Sequence, residues 1–225
     1  SLRKLISDSR PGDILAFQFA GHGYQLADID GDEEDDTDEA LVTFDFENGA
    51  FVLDDDIRAV LSEIKAGVNL TCFIDSCHSG SVTRVFELPT PDSQEVDRII
   101  EAGRARFLKT SRAERDELEN VHRMFRAEMD RTRTTASRSF FKREDLRWVN
   151  FSAAQPTEKA LEHQGHGDFT IRAIDLLSAL RGPVTNLEFN NRLIERFGSV
   201  RAQTPSLDAR PLDEAAPFLS GLLAI

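Results

Sequence analysis

The chain has 225 residues, 40% of them hydrophobic, and a formal net charge of −13. This length suits one sizeable α/β domain, and the lack of any run of about 18 apolar residues argues against a membrane-spanning helix. Residues 1–7 are too few and too polar for a secretory signal. Of the two cysteines, Cys72 falls inside a predicted strand and Cys77 beyond it, which argues against a structural disulfide and fits a reducing compartment. We therefore expect a cytoplasmic protein that binds no membrane and, given its acidic balance, no nucleic acid.

Short strands and amphipathic helices alternate along the first 80 residues. Runs rich in β-branched and aromatic residues predict strands buried in a parallel sheet, and apolar residues at helical spacing predict helices that pack on it. Helices are predicted at residues 1–9 and 54–65, and strands at residues 13–20, 41–46, 51–53 and 70–74. The carboxylates of Asp54-Asp55-Asp56 are expected to cap the second helix.

The second half of the chain begins with a long helical stretch. Residues 87–143 carry apolar residues at helical spacing and predict two amphipathic helices with a break near residues 109–111. A predicted strand at residues 146–153 is followed by two more helices, the second at residues 187–197. The first of these two is expected to be capped by Asp168 and to bury Ile171, Ile174, Leu177 and Leu180.

Charge is unevenly distributed along the chain. Residues 28–56 hold 14 acidic residues and no Lys or Arg, whereas residues 84–147 hold 15 of the 27 basic residues. The acidic spacing superficially fits an EF-hand loop, but Glu33 stands where that loop needs Gly, and its flanks have the pattern of strands. The basic stretch is interspersed with Glu and Asp, which favours a solvated face or a protein-docking element over a nucleic-acid surface.

One histidine and one cysteine follow two of the predicted strands. Gly21-His22-Gly23 comes directly after residues 13–20, and Cys77 comes just after residues 70–74. Open α/β sheets bind ligands at the carboxyl ends of their strands, so these two side chains are expected to lie close together. They are 55 positions apart, close to the His–Cys spacing of caspases. Since a thiol needs a base or a cationic neighbour to become a good nucleophile, the pair predicts thiol catalysis.

Four motifs occur in a fixed order around this pair: Gly21-His22-Gly23, Asp38-Glu39-Ala40-Leu41-Val42, Asp54-Asp55-Asp56 and Asp75-Ser76-Cys77-His78-Ser79-Gly80. Together they resemble the large-subunit region of a metacaspase, or of a bacterial caspase-like peptidase of the same clan (peptidase family C14). The resemblance is dense over residues 12–80 and thinner over residues 150–207. It implies a caspase-like three-layer α/β sandwich with a mostly parallel central sheet flanked by helices, here carrying a helical insertion.

The resemblance implies a cysteine endopeptidase that acts on protein or peptide substrates in regulatory proteolysis and requires no cofactor. Cys77 would be the nucleophile, His22 its acid–base partner, and the backbone amides of Gly23 and Cys77 the oxyanion hole. Asp75 would line the pocket for P1, the residue before the cleaved bond, and would favour Arg or Lys there. Ala20, beside this pocket, stands where metacaspases often carry Ser. A strand-end carboxylate held by backbone amides is the alternative interpretation of Asp75.

The resemblance also implies calcium ligands at Asp38, Asp54 and Asp55. The fourth ligand position is occupied by Arg84, whose charge would repel the ion, so we expect activity to depend little on calcium. His163 and His166 have a spacing found in metal sites, but no further ligands lie nearby in the sequence, so zinc is the less favoured interpretation.

We predict a single peptidase domain over residues 1–225. Residues 1–86 would form a large-subunit-like part, residues 87–145 a basic helical insertion or linker, and residues 146–225 a small-subunit-like part. Metacaspase-like domains normally begin with a further strand and helix that add an Asp to the P1 pocket. Because this chain has no counterpart, we expect a fragment or processed product whose sheet edge is completed by the missing segment or by a second chain.

Two other functions remain open from the sequence alone. One is a catalytically silent caspase-like scaffold that binds partners through the basic helices, and the other is a different α/β thiol enzyme such as a transferase. If the chain is a peptidase, residues 87–143 either form a structural insertion or cover the cleft at rest and are cut on activation. Exposed basic positions near residues 109–112 and 131–138 are the expected cut sites.

Overall fold

The computed structural model describes residues 1–27, 37–77, 91–132, 148–155 and 158–219. The predictions for the acidic loop 28–36, for Arg84 and for the basic residues between positions 133 and 147 lie outside these ranges. Among the described residues, no helix is both long enough and apolar enough to cross a membrane.

A four-stranded sheet forms the centre of the molecule. Its strands, in spatial order, are β1 (Ile14–Ala20), β5 (Asn69–Asp75), β7 (Val149–Ser152) and β10 (Ser206–Asp208). The first three are parallel to one another, and β10 runs antiparallel to β7. The predicted fold class is confirmed: this is a mixed α/β structure with a mostly parallel central sheet.

Helices cover both faces of this sheet. They are α1 (Leu2–Asp8), α2 (Asp54–Leu61), α5 (Asp168–Ala179) and α6 (Asn186–Glu195). Alternate residues of β5 enter two different cores, as strand geometry requires. Cys72 and Ile74 pack with α1 and α2, whereas Phe73 packs against Phe151 and Phe189 under α5 and α6.

Two smaller sheets flank the central one. Strands β2 (Gly23–Ala27), β3 (Thr37–Val42) and β4 (Phe51–Leu53) form an antiparallel sheet. Strands β6 (Arg104–Ala105), β8 (Leu161–His163) and β9 (His166–Gly167) form another. The flanks of the acidic loop are therefore strands, which agrees with rejecting an EF-hand. The strand predicted at residues 41–46 instead ends at Val42, and a short 3₁₀ turn covers Phe46–Asn48.

The predicted pair of basic helices is present, with one addition. Helix α3 spans Pro91–Ala102 and α4 spans Arg112–Thr132, so the expected break near residues 109–111 is confirmed. The break also contains β6, which the helical pattern did not predict. A last short helix, α7, spans Pro211–Glu214.

Two predicted helices differ in detail from the observed ones. Helix α2 ends at Leu61 rather than near residue 65, and Asp54 is its first residue rather than its cap, so its carboxylates lie in the first turn, where the helix dipole favours them. Helix α5 likewise starts at Asp168, with Gly167 at the cap position.

Helix α5 also buries a different face from the predicted one. Ile171, Ile174 and Leu177 are 40%, 56% and 39% exposed, whereas the buried side chains are Phe169, Ala173 and Leu176. The sequence offers two adjacent apolar stripes on this helix. The aromatic core selects the stripe that carries Phe169, because a phenyl ring buries the most apolar area.

Candidate active site

The carboxyl ends of β1 and β5 lie side by side. These strands are parallel, and their last paired residues are Ala20 and Asp75. His22 and Cys77 each lie two residues beyond this pair. The amide of Gly21 donates a hydrogen bond to the carbonyl of Asp75 at 3.1 Å and fastens the two ends together. The parallel pairing thus brings the two predicted catalytic residues to one edge of the sheet, as expected from the sequence.

Gly23 makes the closest approach between the two strand ends. A Cβ atom at this position would lie 1.8 Å from the carbonyl oxygen of Cys77, a distance that no side chain can tolerate. The glycine after His22 is therefore required for the histidine loop to pack directly on the backbone of the cysteine.

The two cysteines have different environments, although they are five residues apart. Cys72 is buried in the core beside α1 and α2, where desolvation raises the pKa of its thiol to about 12. Cys77 is also buried, but it lies past the end of the strand in the core beside α5 and α6, and its Sγ atom donates to the carbonyl oxygen of Glu158 at 3.8 Å. Neither cysteine forms a disulfide bond, and only Cys77 stands at the candidate catalytic edge.

The imidazole of His22 is half-buried. Desolvation lowers its pKa; the nearby Glu162 opposes this shift, and Arg104 and Arg106 reinforce it. A lowered pKa keeps the ring neutral near neutral pH, and a neutral imidazole can accept the proton of a thiol.

Both predicted oxyanion-hole amides are occupied by a single carbonyl group. The amide nitrogens of Gly23 and Cys77 donate to the carbonyl oxygen of Arg106, at 2.9 and 3.2 Å. Two backbone donors on one carbonyl oxygen are the arrangement that stabilises the oxyanion of acyl transfer, where one donor is worth about 3 kcal/mol. The chain's own segment between α3 and α4 therefore lies in the predicted cleft.

The side chain of Arg106 enters a pocket next to these amides and is 6% exposed. Its Nε atom donates to the carbonyl oxygen of Gly21 at 3.2 Å and lies 3.6 Å from Oδ1 of Asp75. Its Nη1 atom lies 3.6 Å from Oε2 of Glu162. Asp75, predicted to recognise a basic P1 side chain, thus faces a guanidinium group in this structure.

Asp75 is fully buried, and the start of α5 fixes its position. The amide of Thr170 donates to Oδ2 of Asp75 at 3.1 Å, and the Thr170 hydroxyl donates to the same oxygen. Burial raises the pKa of Asp75, and the hydrogen bonds from Thr170 and the charge of Arg106 oppose this rise. The carboxylate is therefore both amide-bound, as in the alternative interpretation, and paired with a cation.

Gly167 forms the wall of this pocket. A Cβ atom there would lie 1.9 Å from Oδ2 of Asp75 and 2.5 Å from Nη1 of Arg106. Only glycine leaves room for an arginine at this position. Ala20, the other residue predicted for the P1 pocket, pairs with Asp75 in register, but its side chain is exposed.

The segment around Arg106 is held along its length like an added strand. The amide of Arg106 donates to the carbonyl of Ala160 at 2.9 Å, and β6 pairs antiparallel with β8. On the other side, the amide of Leu108 donates to the carbonyl of Gly23 at 2.9 Å. The ring of Phe107 packs beside Tyr24 with centroids 5.9 Å apart. Peptide ligands are commonly bound by strand addition of this kind.

Sequence reasoning missed two residues of this site, Arg106 and Glu162. Arg106 directly follows a two-residue strand and Glu162 lies on a three-residue strand, and strands of this length are too short to show a period. The one local signal is the alternation of basic and small residues in Arg104-Ala105-Arg106, directly after a predicted helix.

The residues predicted to bind calcium lie on two elements, β3 and the start of α2. Asp54 and Asp55 start α2 and pair with Arg58 at 2.8 and 3.5 Å, whereas Asp38 is buried in β3. Within the described ranges, no three His, Cys, Asp or Glu side chains are grouped so that they could hold a metal ion. Arg84 lies outside those ranges, so the calcium site stays a prediction.

The histidine pair considered for zinc forms part of a hairpin. His163 and His166 are opposite each other in the pairing of β8 and β9, and Nδ1 of His163 is hydrogen-bonded to Asp168 at 2.8 Å. The structure therefore gives His163 a carboxylate partner that does not depend on a metal ion.

The comparison with known protein families agrees with the family resemblance that the order of the motifs predicts. Residues 1–86 match the family model for the metacaspase, peptidase C14 domain. The resemblance of this part of the chain to the metacaspase family, predicted from the motifs, is thereby confirmed.

Individual metacaspases show the same similarity. The chain is 45% identical to metacaspase-1 of Kluyveromyces lactis over 83 residues, which are 36% of this chain and 19% of that protein. It is 47% identical to metacaspase-1 of Coccidioides immitis over 78 residues, 34% of this chain and 17% of that protein. The matched residues thus span about a fifth of the length of these metacaspases.

The fold similarity extends further than the sequence similarity. The crystal structure of a protein from Geobacter sulfurreducens superposes with a TM-score of 0.66 and covers 92% of this chain and 69% of that chain. Its sequence identity is 22%, so this similarity concerns the fold. The part of the chain beyond the metacaspase match therefore continues the same α/β architecture.

Proposed function

We propose that the chain is a cysteine endopeptidase that hydrolyses peptide bonds after Arg or Lys in protein substrates. Cys77 is the nucleophile, His22 the acid–base residue, and Asp75 the carboxylate that binds the P1 side chain. One observation carries the proposal: the carbonyl of Arg106 lies on the amides of Gly23 and Cys77 while its guanidinium faces Asp75. A P1 residue of a bound substrate needs both contacts at once.

The reaction follows from these positions. The Cys77 thiol loses its proton to His22, and its sulfur forms a bond to the P1 carbonyl carbon, while the two amides stabilise the oxygen as it becomes negative. His22 then gives the proton to the amine, and the C–N bond breaks. Water hydrolyses the remaining thioester, which releases the new carboxylate and restores the thiol.

The same contacts make the bond between Arg106 and Phe107 an internal substrate. This position replaces residues 109–112 as the proposed site of self-cleavage, because it is Arg106 that occupies the pocket. The insertion at residues 87–143 would then cover the cleft at rest, and cutting or displacement of the segment would admit other substrates.

Two measurements test this function. Fluorogenic peptides with Arg, Lys or Asp at P1, assayed with and without calcium, should be cut after Arg and Lys and refused after Asp. Incubated protein, mapped by mass spectrometry, should gain a new amino terminus at Phe107. Neither activity should appear in the Cys77→Ala variant.

The same assays separate the alternatives. A silent scaffold would not react with a peptide probe that alkylates thiols, and a transferase would modify acyl acceptors without cleaving a peptide library. Cleavage by the Cys77→Ala variant at the wild-type rate would refute the assignment of the nucleophile.

A further inference from the structure

Glu162 is the middle residue of β8, the strand that lines one side of the cleft. Its side chain is 14% exposed. Oε2 lies 3.6 Å from Nη1 of Arg106, and Oε1 lies 3.8 Å from Nε of Arg104. Each carboxylate oxygen of Glu162 therefore faces a different arginine of the segment in the cleft.

Strand geometry explains why one carboxylate reaches both arginines. Residues two apart on an extended strand point to the same face, so Arg104 and Arg106 share a face. In the antiparallel pairing of β6 with β8, Arg104 is directly opposite Glu162, and Arg106 is its diagonal neighbour. Both positions are within reach of a long side chain.

The pocket for Arg106 would otherwise contain a single carboxylate. Asp75 approaches the Nε side of the guanidinium, and the carbonyl of Gly21 accepts from the same nitrogen. Glu162 approaches from the Nη1 side, which those two groups leave open. A guanidinium presents five donors in a planar fork, so a second carboxylate binds donors that the first does not reach.

We infer that Glu162 is a specificity-determining residue that binds the P1 arginine together with Asp75 and also binds a basic side chain at P3. This inference rests on the proposed function, in which Arg106 stands for P1 and Arg104 for P3. The substrates selected by this site carry Arg or Lys two positions before the P1 arginine.

The two contacts differ in strength. The Arg106 side chain is 6% exposed, so its pairing with Glu162 is shielded from water. The Arg104 side chain is 77% exposed, and an exposed ion pair contributes at most about a fivefold preference. Glu162 should therefore influence the P1 residue strongly and the P3 residue modestly.

The test uses two fluorogenic peptides that end in Arg-Ala-Arg and Gln-Ala-Arg. Each is assayed with the full chain carrying Arg106→Gln, so that the internal arginine does not fill the pocket. We expect about a threefold to fivefold higher kcat/KM for the peptide with Arg at P3. Adding Glu162→Gln should abolish this preference and lower kcat/KM for both peptides about tenfold, mainly through KM.

Three controls keep the result specific. Glu195→Gln removes the same charge from the exposed end of α6 and should leave the ratio unchanged. Glu162→Asp keeps the charge and should retain part of the preference, while thermal melting checks that each variant is folded.

If Glu162→Gln keeps both the preference and the rate, the role of Glu162 is refuted while the peptidase function stands. If neither peptide is cut in a manner that depends on Cys77, both proposals are wrong.

Discussion

Two acidic groups in this molecule pair with arginine in different environments. Asp75 and Glu162 are 0% and 14% exposed and enclose one guanidinium group. Asp54 and Asp55 are 23% and 32% exposed and share Arg58 at the surface of α2. Both groups pair acid with arginine, but only the first does so where water is excluded.

The difference lies in the environment rather than in the number of charges. A pair of charges in water is screened and contributes little, whereas a buried carboxylate that loses its cation is left unpaired at high cost. Thr170 and Gly167 make the buried arrangement possible, since one donates hydrogen bonds to Asp75 and the other leaves space for the arginine. The residues around Asp75 thus allow a buried carboxylate to hold a guanidinium group, which the proposed function requires.

The largest expected effect separates the two cysteines, which are both buried but lie in different cores. Cys77→Ala should abolish cleavage of Arg peptides, because no thiol remains beside the two amides. Cys72→Ala should leave kcat within about twofold, since that thiol lies inside β5 in the core beside α1 and α2, and should lower stability instead. Initial rates and thermal melts of both variants check this, and equal activity of the two would contradict it.

The next effect concerns Arg106, whose guanidinium group lies between the carboxylates of Asp75 and Glu162. Arg106→Gln removes the internal cation, so an added peptide no longer competes with it, and kcat/KM for Arg peptides should rise about fivefold to twentyfold. The matched control is Arg104→Gln, which removes an exposed arginine two residues away. Progress curves from freshly purified protein measure both, and a rate for Arg106→Gln below that of the control would argue against an occupied cleft.

A smaller effect comes from a buried histidine. His122 on α4 is 1% exposed and hydrogen-bonds through Nδ1 to the carbonyl of Gly49 at 2.8 Å. Burial lowers its pKa, the bond to Gly49 and the charge of Asp56 oppose this, and Arg126 reinforces it.

The sign of the pH effect follows from that lowered pKa. The unfolded chain takes up the proton first, so His122 should reduce stability as pH falls below about 6.5 and have no such effect above it. Melting temperatures at pH 7.5 and 5.5 should differ more in the wild type than in His122→Gln. An equal difference in both proteins would exclude His122 as the cause.

The smallest expected effect is at the exposed acidic pair. Asp54→Asn and Asp55→Asn, alone or together, should change kcat/KM by less than about twofold, because exposed ion pairs are weak. Removal of calcium with EGTA should have equally little effect. A loss of activity in EGTA that added calcium reverses would instead show that a cation site controls the enzyme.

The sequence predicted that His22 and Cys77 lie at one edge of the sheet, because the signals for this are local. His22 and Cys77 each follow a strand with a clear apolar pattern, and parallel strands must place their ends together. Arg106 and Glu162 left no such signal, since they meet through a pairing of two very short strands that are distant in the chain. The buried face of α5 was also mispredicted, because two apolar stripes compete and only the aromatic core chooses between them.

The central claim is that Asp75, buried beside the two amides, makes this site select arginine at P1. The most direct measurement compares kcat/KM for two peptides that differ only in Arg or Gln at P1, using the wild type and Asp75→Asn. We predict a preference for Arg of about 100-fold or more in the wild type, reduced to less than about tenfold in the variant. A preference that survives Asp75→Asn, or a wild type that cuts the Gln peptide as well as the Arg peptide, would contradict the account.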